Sequence, residues 1–201
     1  METEIFYQRV IENAAQPPLQ RHRLFTQLHS EVVAAYLKAI HKLTPDKADR
    51  IVATGSDART VAQVVGHIAA WEQFSILAGG DMLAGVQHPR MATTVEGYIA
   101  TDGQIMNFPG IDAFNAYHAG QHANWSWERI QALAIDTATT LQVLFSHPAL
   151  LSADRLEQTK LFRKRLQNGF IIDNIAMGWN VWITALEHEA IEHAVDLDIG
   201  Q

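Results

Sequence analysis

Four long stretches of this chain repeat their apolar residues at the three-and-four spacing of an α-helix, and that periodicity limits what it can fold into. Leu24, Leu28, Val32, Ala35 and Ala39 share a face over residues 24–43, which Pro45 closes. Val61, Val64, Ile68, Trp71 and Ser75 do so over residues 59–78, with Ser56 or Asp57 as N-cap and Gly79-Gly80 as terminator. Ile130, Leu133, Thr137, Leu141 and Leu144 mark a third segment, from a Ser126 N-cap to His147-Pro148, and a fourth covers residues 173–197, ending before Gly200. A short helix precedes Pro17-Pro18. No alternating apolar and polar run bounded by hairpin turns stands out, so no sheet is expected. The expected fold class is all-α: a four-helix bundle with one long crossover loop, residues 1–201 forming a single domain. The crossover runs from Gly80 to Gly110, is rich in Gly, Thr, Met and Asp, and is expected to form the rim of a pocket.

Composition removes several function classes. Fifteen Lys and Arg against twenty-two Asp and Glu leave a net charge of -7, and no basic stripe is present to track a phosphate backbone, so no nucleic-acid partner is expected. The chain has no cysteine, which excludes disulfides and a protein-borne thiol nucleophile and leaves His and carboxylates as metal ligands. No segment reaches the roughly 18 apolar residues of a membrane span, and the N-terminus carries neither a basic nor an apolar targeting region. A cytoplasmic protein without membrane contact is the expectation. Neither a phosphate-binding glycine loop nor a nucleophile elbow is found.

The last periodic segment raises a chemical question. Turning about 100° per residue from Trp179, the residues Trp182, Ile183, Leu186, Ala190 and Leu197 form an apolar stripe, with His193 and Glu189 within or beside it. His188 and Glu192 fall on the far side of this wheel and are expected to be solvated. A buried carboxylate costs several kcal/mol unless it is paired or coordinated. Arg59 or Arg129 could neutralise Glu189, or it could hydrogen-bond His193. His67, on the edge of the 59–78 stripe, offers a third inward group, and a His₂Glu set suits Zn²⁺, Ni²⁺ or Fe²⁺ while leaving open positions. His118 and His122, also four apart, are a rival metal-binding pair, but a place at the pocket rim or in plain solvent is the expectation for them. His22, His29, His41, His88 and His147 read as surface or helix-end residues. The five tryptophans read as core, with Trp71 or Trp179 able to line an apolar pocket near the metal.

The run Val65-Gly-His-Ile-Ala-Ala-Trp71, followed by Glu189-Ala-Ile-Glu-His-Ala-Val-Asp-Leu197, resembles the DinB/YfiT-like metal-binding four-helix-bundle superfamily. Its E-x-x-x-H-A-V-D-L ending is especially similar to the metal-binding domain of mycothiol-dependent maleylpyruvate isomerases. Gly110-Ile-Asp-Ala-Phe-Asn-Ala-Tyr117 resembles an aromatic-Asn element of related proteins. The resemblance implies His67, Glu189 and His193 as ligands of a divalent metal. It also implies a low-molecular-weight thiol as cofactor, such as bacillithiol, mycothiol or glutathione, which suits a chain without cysteine. The function expected on this basis is a metal-dependent enzyme acting on a small-molecule substrate by thiol transfer, isomerisation or hydrolysis, with a homodimer as the expected assembly. The alternative is a non-catalytic metal-binding stress or accessory protein with a structural ion.

Overall fold

The computed structural model describes residues 2–54, 57–91 and 94–197. Its helices are, in chain order, α1 (Thr3–Ala14), α2 (Pro18–Lys42), α3 (Pro45–Ala48), α4 (Val61–Leu83), α5 (Ile111–His122), α6 (Trp127–Ser146), α7 (Ala153–Glu157) and α8 (Met177–Glu187). A π-helical turn, His188–Glu192, continues α8, and loose turns carry the chain on to Leu197. The fold is all-α: α2, α4, α6 and α8 with its π turn form the bundle, α4 packing on α6 and α8, and α2 on α6 and the π turn.

Among the described residues, three small antiparallel hairpins decorate this bundle, where none was expected. They pair β1 (Ile51–Thr54) with β2 (Asp57–Thr60), β3 (Tyr98–Ile99) with β4 (Ile105–Met106), and β5 (Leu161–Arg165) with β6 (Ile171–Ala176). The largest turns through Asn168-Gly169, with Gly169 at φ +88°, the left-handed conformation that glycine accepts without a Cβ clash. Strand β6 replaces the first turn expected of the last helix. A buried ion pair, Lys164 Nζ to Glu187 at 2.7 Å, and the donation from Lys164 Nζ to Thr184 Oγ1 at 2.8 Å fasten this hairpin to α8.

Helix boundaries differ from the expectation where capping and packing overrule local sequence. Helix α4 starts at Thr60, whose Oγ1 accepts from the Gln63 N–H while Gln63 Oε1 accepts from the Thr60 N–H. Asp57 belongs to β2 and is not the cap; Ser56 lies outside the described residues, as does Gly200. Gly79 and Gly80 do not end α4, which continues to Leu83. A Cβ on Gly79 would stand 2.4 Å from Leu144 Cδ2, so this glycine is where α4 and α6 approach closely. Ser126 caps α6 as expected, its Oγ accepting from the Arg129 N–H.

The buried face of α2 consists of Phe25, Leu28, His29, Val32, Val33, Tyr36 and Ile40, shifted from the expected stripe. Two histidines expected at the surface are therefore internal. His22 Nε2 lies 2.9 Å from the Leu151 carbonyl oxygen, and His29 Nδ1 accepts from the Trp182 indole N–H at 3.0 Å. Trp179 and Trp182 stack with centroids 6.0 Å apart in the same core, against Phe25. Among the described residues, no helix is long and apolar enough to cross a membrane.

In the crossover, Arg90 ties the chain back to α4. It donates to both carboxylate oxygens of Asp81 and to the Gly97 carbonyl. This places Tyr98 and Phe108 against Phe114 of α5. Helix α5, in a segment with little apolar periodicity, was not foreseen.

Candidate metal centre

Three imidazoles meet where α4 faces the π turn. The ring centroids of His67, His188 and His193 lie 5.0, 5.2 and 5.1 Å apart, a nearly equilateral triangle. His67 Nε2 and His188 Nε2 are 3.2 Å from one another. Among the described residues this is the group of three whose potential ligand atoms all fall within 4.8 Å of each other. Two nitrogens that each bind one tetrahedral ion at about 2.0 Å are about 3.3 Å apart, which the His67–His188 pair matches.

Each ring is delivered differently. His67 stands on α4 next to Gly66. His188 begins the π turn, and His193 follows it with its backbone leaving helical geometry. In a π turn the hydrogen bonds close on the fifth residue, so side chains five apart stack, and one inserted residue brings His188 and His193 to the same side. His188 is accordingly buried rather than solvated, while Glu192 is exposed. His193 Nδ1 lies 3.1 Å from Asp196 Oδ2, and its Nε2 is buried without a hydrogen-bond partner. A carboxylate behind a histidine fixes the ring and leaves the other nitrogen as a lone-pair donor. Arg50 donates to the Asp196 carbonyl at 3.0 Å, holding this turn from the α3–β1 corner.

Burial lowers the basicity of His67 and His188. His67 is pushed down to about 3 by burial first and then by His193, Arg59 and His118. His188 is held well below its usual value by burial, then by His67 and His193. Both are neutral at neutral pH, the state in which an imidazole can bind a metal.

Glu189 occupies a different place. The structure brings His67 and His193 together with His188 as third member, whereas the Glu189 carboxylate points to the interior, its Oε2 3.9 Å from His29 Nε2. The side chain that interacts with it there is Glu72, and no Lys or Arg forms an ion pair with it among the described residues. Burial, then the nearby Glu72 charge, raises its carboxyl well above the usual range. Glu72 is itself pushed up to about 8 by burial, partly offset by the Thr137 hydroxyl that donates to it. Two buried carboxyl groups this close remain protonated rather than both ionising. Sequence reading missed Glu72, whose single carboxylate in an apolar helix gave no spacing signal.

Two cavities open on the histidines. One, of about 390 Å³, is bounded by His67, His188 and His193, with Trp71, Glu72, Asn115 and the β5 residues Lys164 and Arg165. The other, of about 510 Å³, is lined by Arg59, Gln63, His67, Asn115, His118 and His122. Asn115 is fixed by the Trp71 indole, which donates to its Oδ1 at 3.1 Å. Among the described residues, the rim expected from Gly80–Gly110 is supplied instead by α5, just beyond it, and by β5.

No protein-family model and no curated protein matches the chain. The fold is similar to the crystal structure of a histidine-to-alanine mutant of the mycothiol-dependent maleylpyruvate isomerase, at 12% sequence identity and a TM-score of 0.57. The match covers 99% of this chain and 64% of that one. At this identity the likeness carries the fold and nothing of the activity.

Proposed function

We propose that the chain is a metal-dependent enzyme acting on small molecules, its whole length working as one bundle domain around a divalent ion held by His67, His188 and His193. The observation that carries this reading is the cavity of about 390 Å³ that reaches all three histidines between Trp71 and the β5 hairpin. A sealed histidine cluster would suit a structural ion; an open cavity with one apolar wall and several polar groups suits substrate. Bound there, a divalent ion acidifies a water or thiol ligand and polarises a carbonyl. The protein's own part is to position. Asp196 holds His193, Asn115 presents its amide where the two cavities meet, and Trp71 walls one side of the substrate space. The absence of cysteine keeps an external low-molecular-weight thiol in the reading, with thiol transfer, isomerisation or hydrolysis as the reaction. A cytoplasmic homodimer belongs to the same proposal.

The test is metal analysis of protein purified without an affinity tag. One tightly bound equivalent is expected in the parent, lost in His188→Ala and His193→Ala and retained in Glu189→Gln. Loss in Glu189→Gln with retention in His188→Ala would overturn the three-histidine assignment in favour of a His67, Glu189 and His193 set. Loaded protein is then offered thiols with small electrophiles, and complete inactivity across metals and thiols would remove the enzymatic reading.

A further inference from the structure

The larger cavity holds a second pair of histidines that the three-histidine centre does not use. His118 and His122 lie four apart on α5, so they project from one face, and their ring centroids are 5.8 Å apart. Both line the cavity of about 510 Å³.

Each ring is held in place before any ligand arrives. His118 sits among Phe114, Tyr98 and Tyr117, with centroids 4.5, 5.0 and 5.1 Å away, and is only 5% exposed. Its Nε2 is buried without a hydrogen-bond partner. Leaving such a nitrogen unsatisfied costs about 1–3 kcal/mol, so its retention in an aromatic shell calls for an occupant. His122 packs 4.6 Å from the Trp125 ring, which is covered on its own account by the Arg129 guanidinium at 3.6 Å. Its Nδ1 edge fits against Gly66, where a Cβ would stand 2.9 Å away. Contact with α4 therefore takes up the Nδ1 edge and leaves Nε2 to bind.

We infer that His118 and His122 form a second divalent-metal site, two imidazoles from one helix face with water completing the coordination in the polar cavity. Nitrogen donors in an open site favour late first-row ions, Cu²⁺ ahead of Ni²⁺ or Zn²⁺. Two protein ligands bind less firmly than three, so this site fills after the first. It shares no ligand with His67, His188 and His193 and stands or falls independently of them.

The experiment is calorimetric titration of the full-length, tag-free, metal-stripped chain with Ni²⁺, paired with metal analysis after dialysis. The parent is expected to take two equivalents, one tight and one weaker. His118→Gln and His122→Gln should each lose the weaker equivalent and keep the tight one, while His193→Ala should do the opposite. His122 is half-buried, so His122→Gln supplies the decisive arm should His118→Gln melt early. A single equivalent in the parent that both glutamine variants retain would overturn the site, as would two equivalents surviving in both. One equivalent lost in His122→Gln but kept in His193→Ala would support this site and remove the three-histidine one.

Discussion

His193 offers the cavity a lone pair, and the residue that makes it available is three positions further on. In the tautomer whose Nδ1 donates to Asp196, the proton sits on that side of the ring and Nε2 carries the lone pair. The contact lies within one loose turn, pinned by Arg50 through the Asp196 backbone, so Asp196→Ala removes the carboxylate without disturbing the pin. Metal affinity should fall about 10- to 100-fold, as for other partners behind metal-ligating histidines, with little change in the melting temperature of metal-free protein. Chelator competition reads this directly, and an affinity equal to the parent's would mean that His193 needs no orienting partner. His67 and His193 were legible from sequence because a histidine inside an apolar stripe is conspicuous. Asp196 was not, because its role depends on where the helix unwinds.

At the scale of elements, the unread feature is the π turn. A wheel drawn at 100° per residue assumes one helix type throughout, and a single inserted residue rotates all that follows. That is why Glu189 was expected beside His193, and why His188 was assigned to solvent although it joins the cluster. The four bundle helices were legible because their periodicity is imposed by burial along many residues. The hairpins were not, since β3 and β4 are two residues each and the Asn168-Gly169 turn follows a charged strand, β5. Gly79-Gly80 carries the same lesson: a pair that reads as a helix stop is, in context, one packing position and one spectator. Gly79→Ala forces a methyl into Leu144 and should cost about 1–3 kcal/mol. Gly80→Ala meets nothing within 4 Å on an exposed helical position and should stabilise by about 0.5–1 kcal/mol. Urea unfolding compares the two, and effects of the same sign would show that the α4–α6 contact is looser than described.

Over the whole molecule, the buried titratable groups oppose one another across pH. His29 and His67, both at about 3, His118 at about 4, and His188 have folded values below the ordinary 6.5. Below pH 6.5 the unfolded chain therefore binds more protons than the folded one, and stability is lost as the pH falls. Glu72, at about 8 against 4.5, and Glu189 act in the other direction. The folded chain keeps their protons, so their contribution is present in acid and lost as pH rises towards 8. Between 4.5 and 6.5 the histidines outweigh the carboxyls and the slope is upward; above 6.5 the carboxyls outweigh the histidines. Metal-free protein in chelator should thus melt highest near pH 6.5. From there to pH 8 the Glu72 contribution falls away as its folded-state proton is lost, and the melting temperature falls with it. Glu72→Gln keeps the shape of the side chain and its bond to Thr137 but has no proton to lose, so its melting curve should flatten on the alkaline side and follow the parent below pH 4.5. A melting temperature that climbs from pH 6.5 to 8, or a variant that tracks the parent throughout, would mean that Glu72 is ionised in the folded core and that a cation neutralises it there.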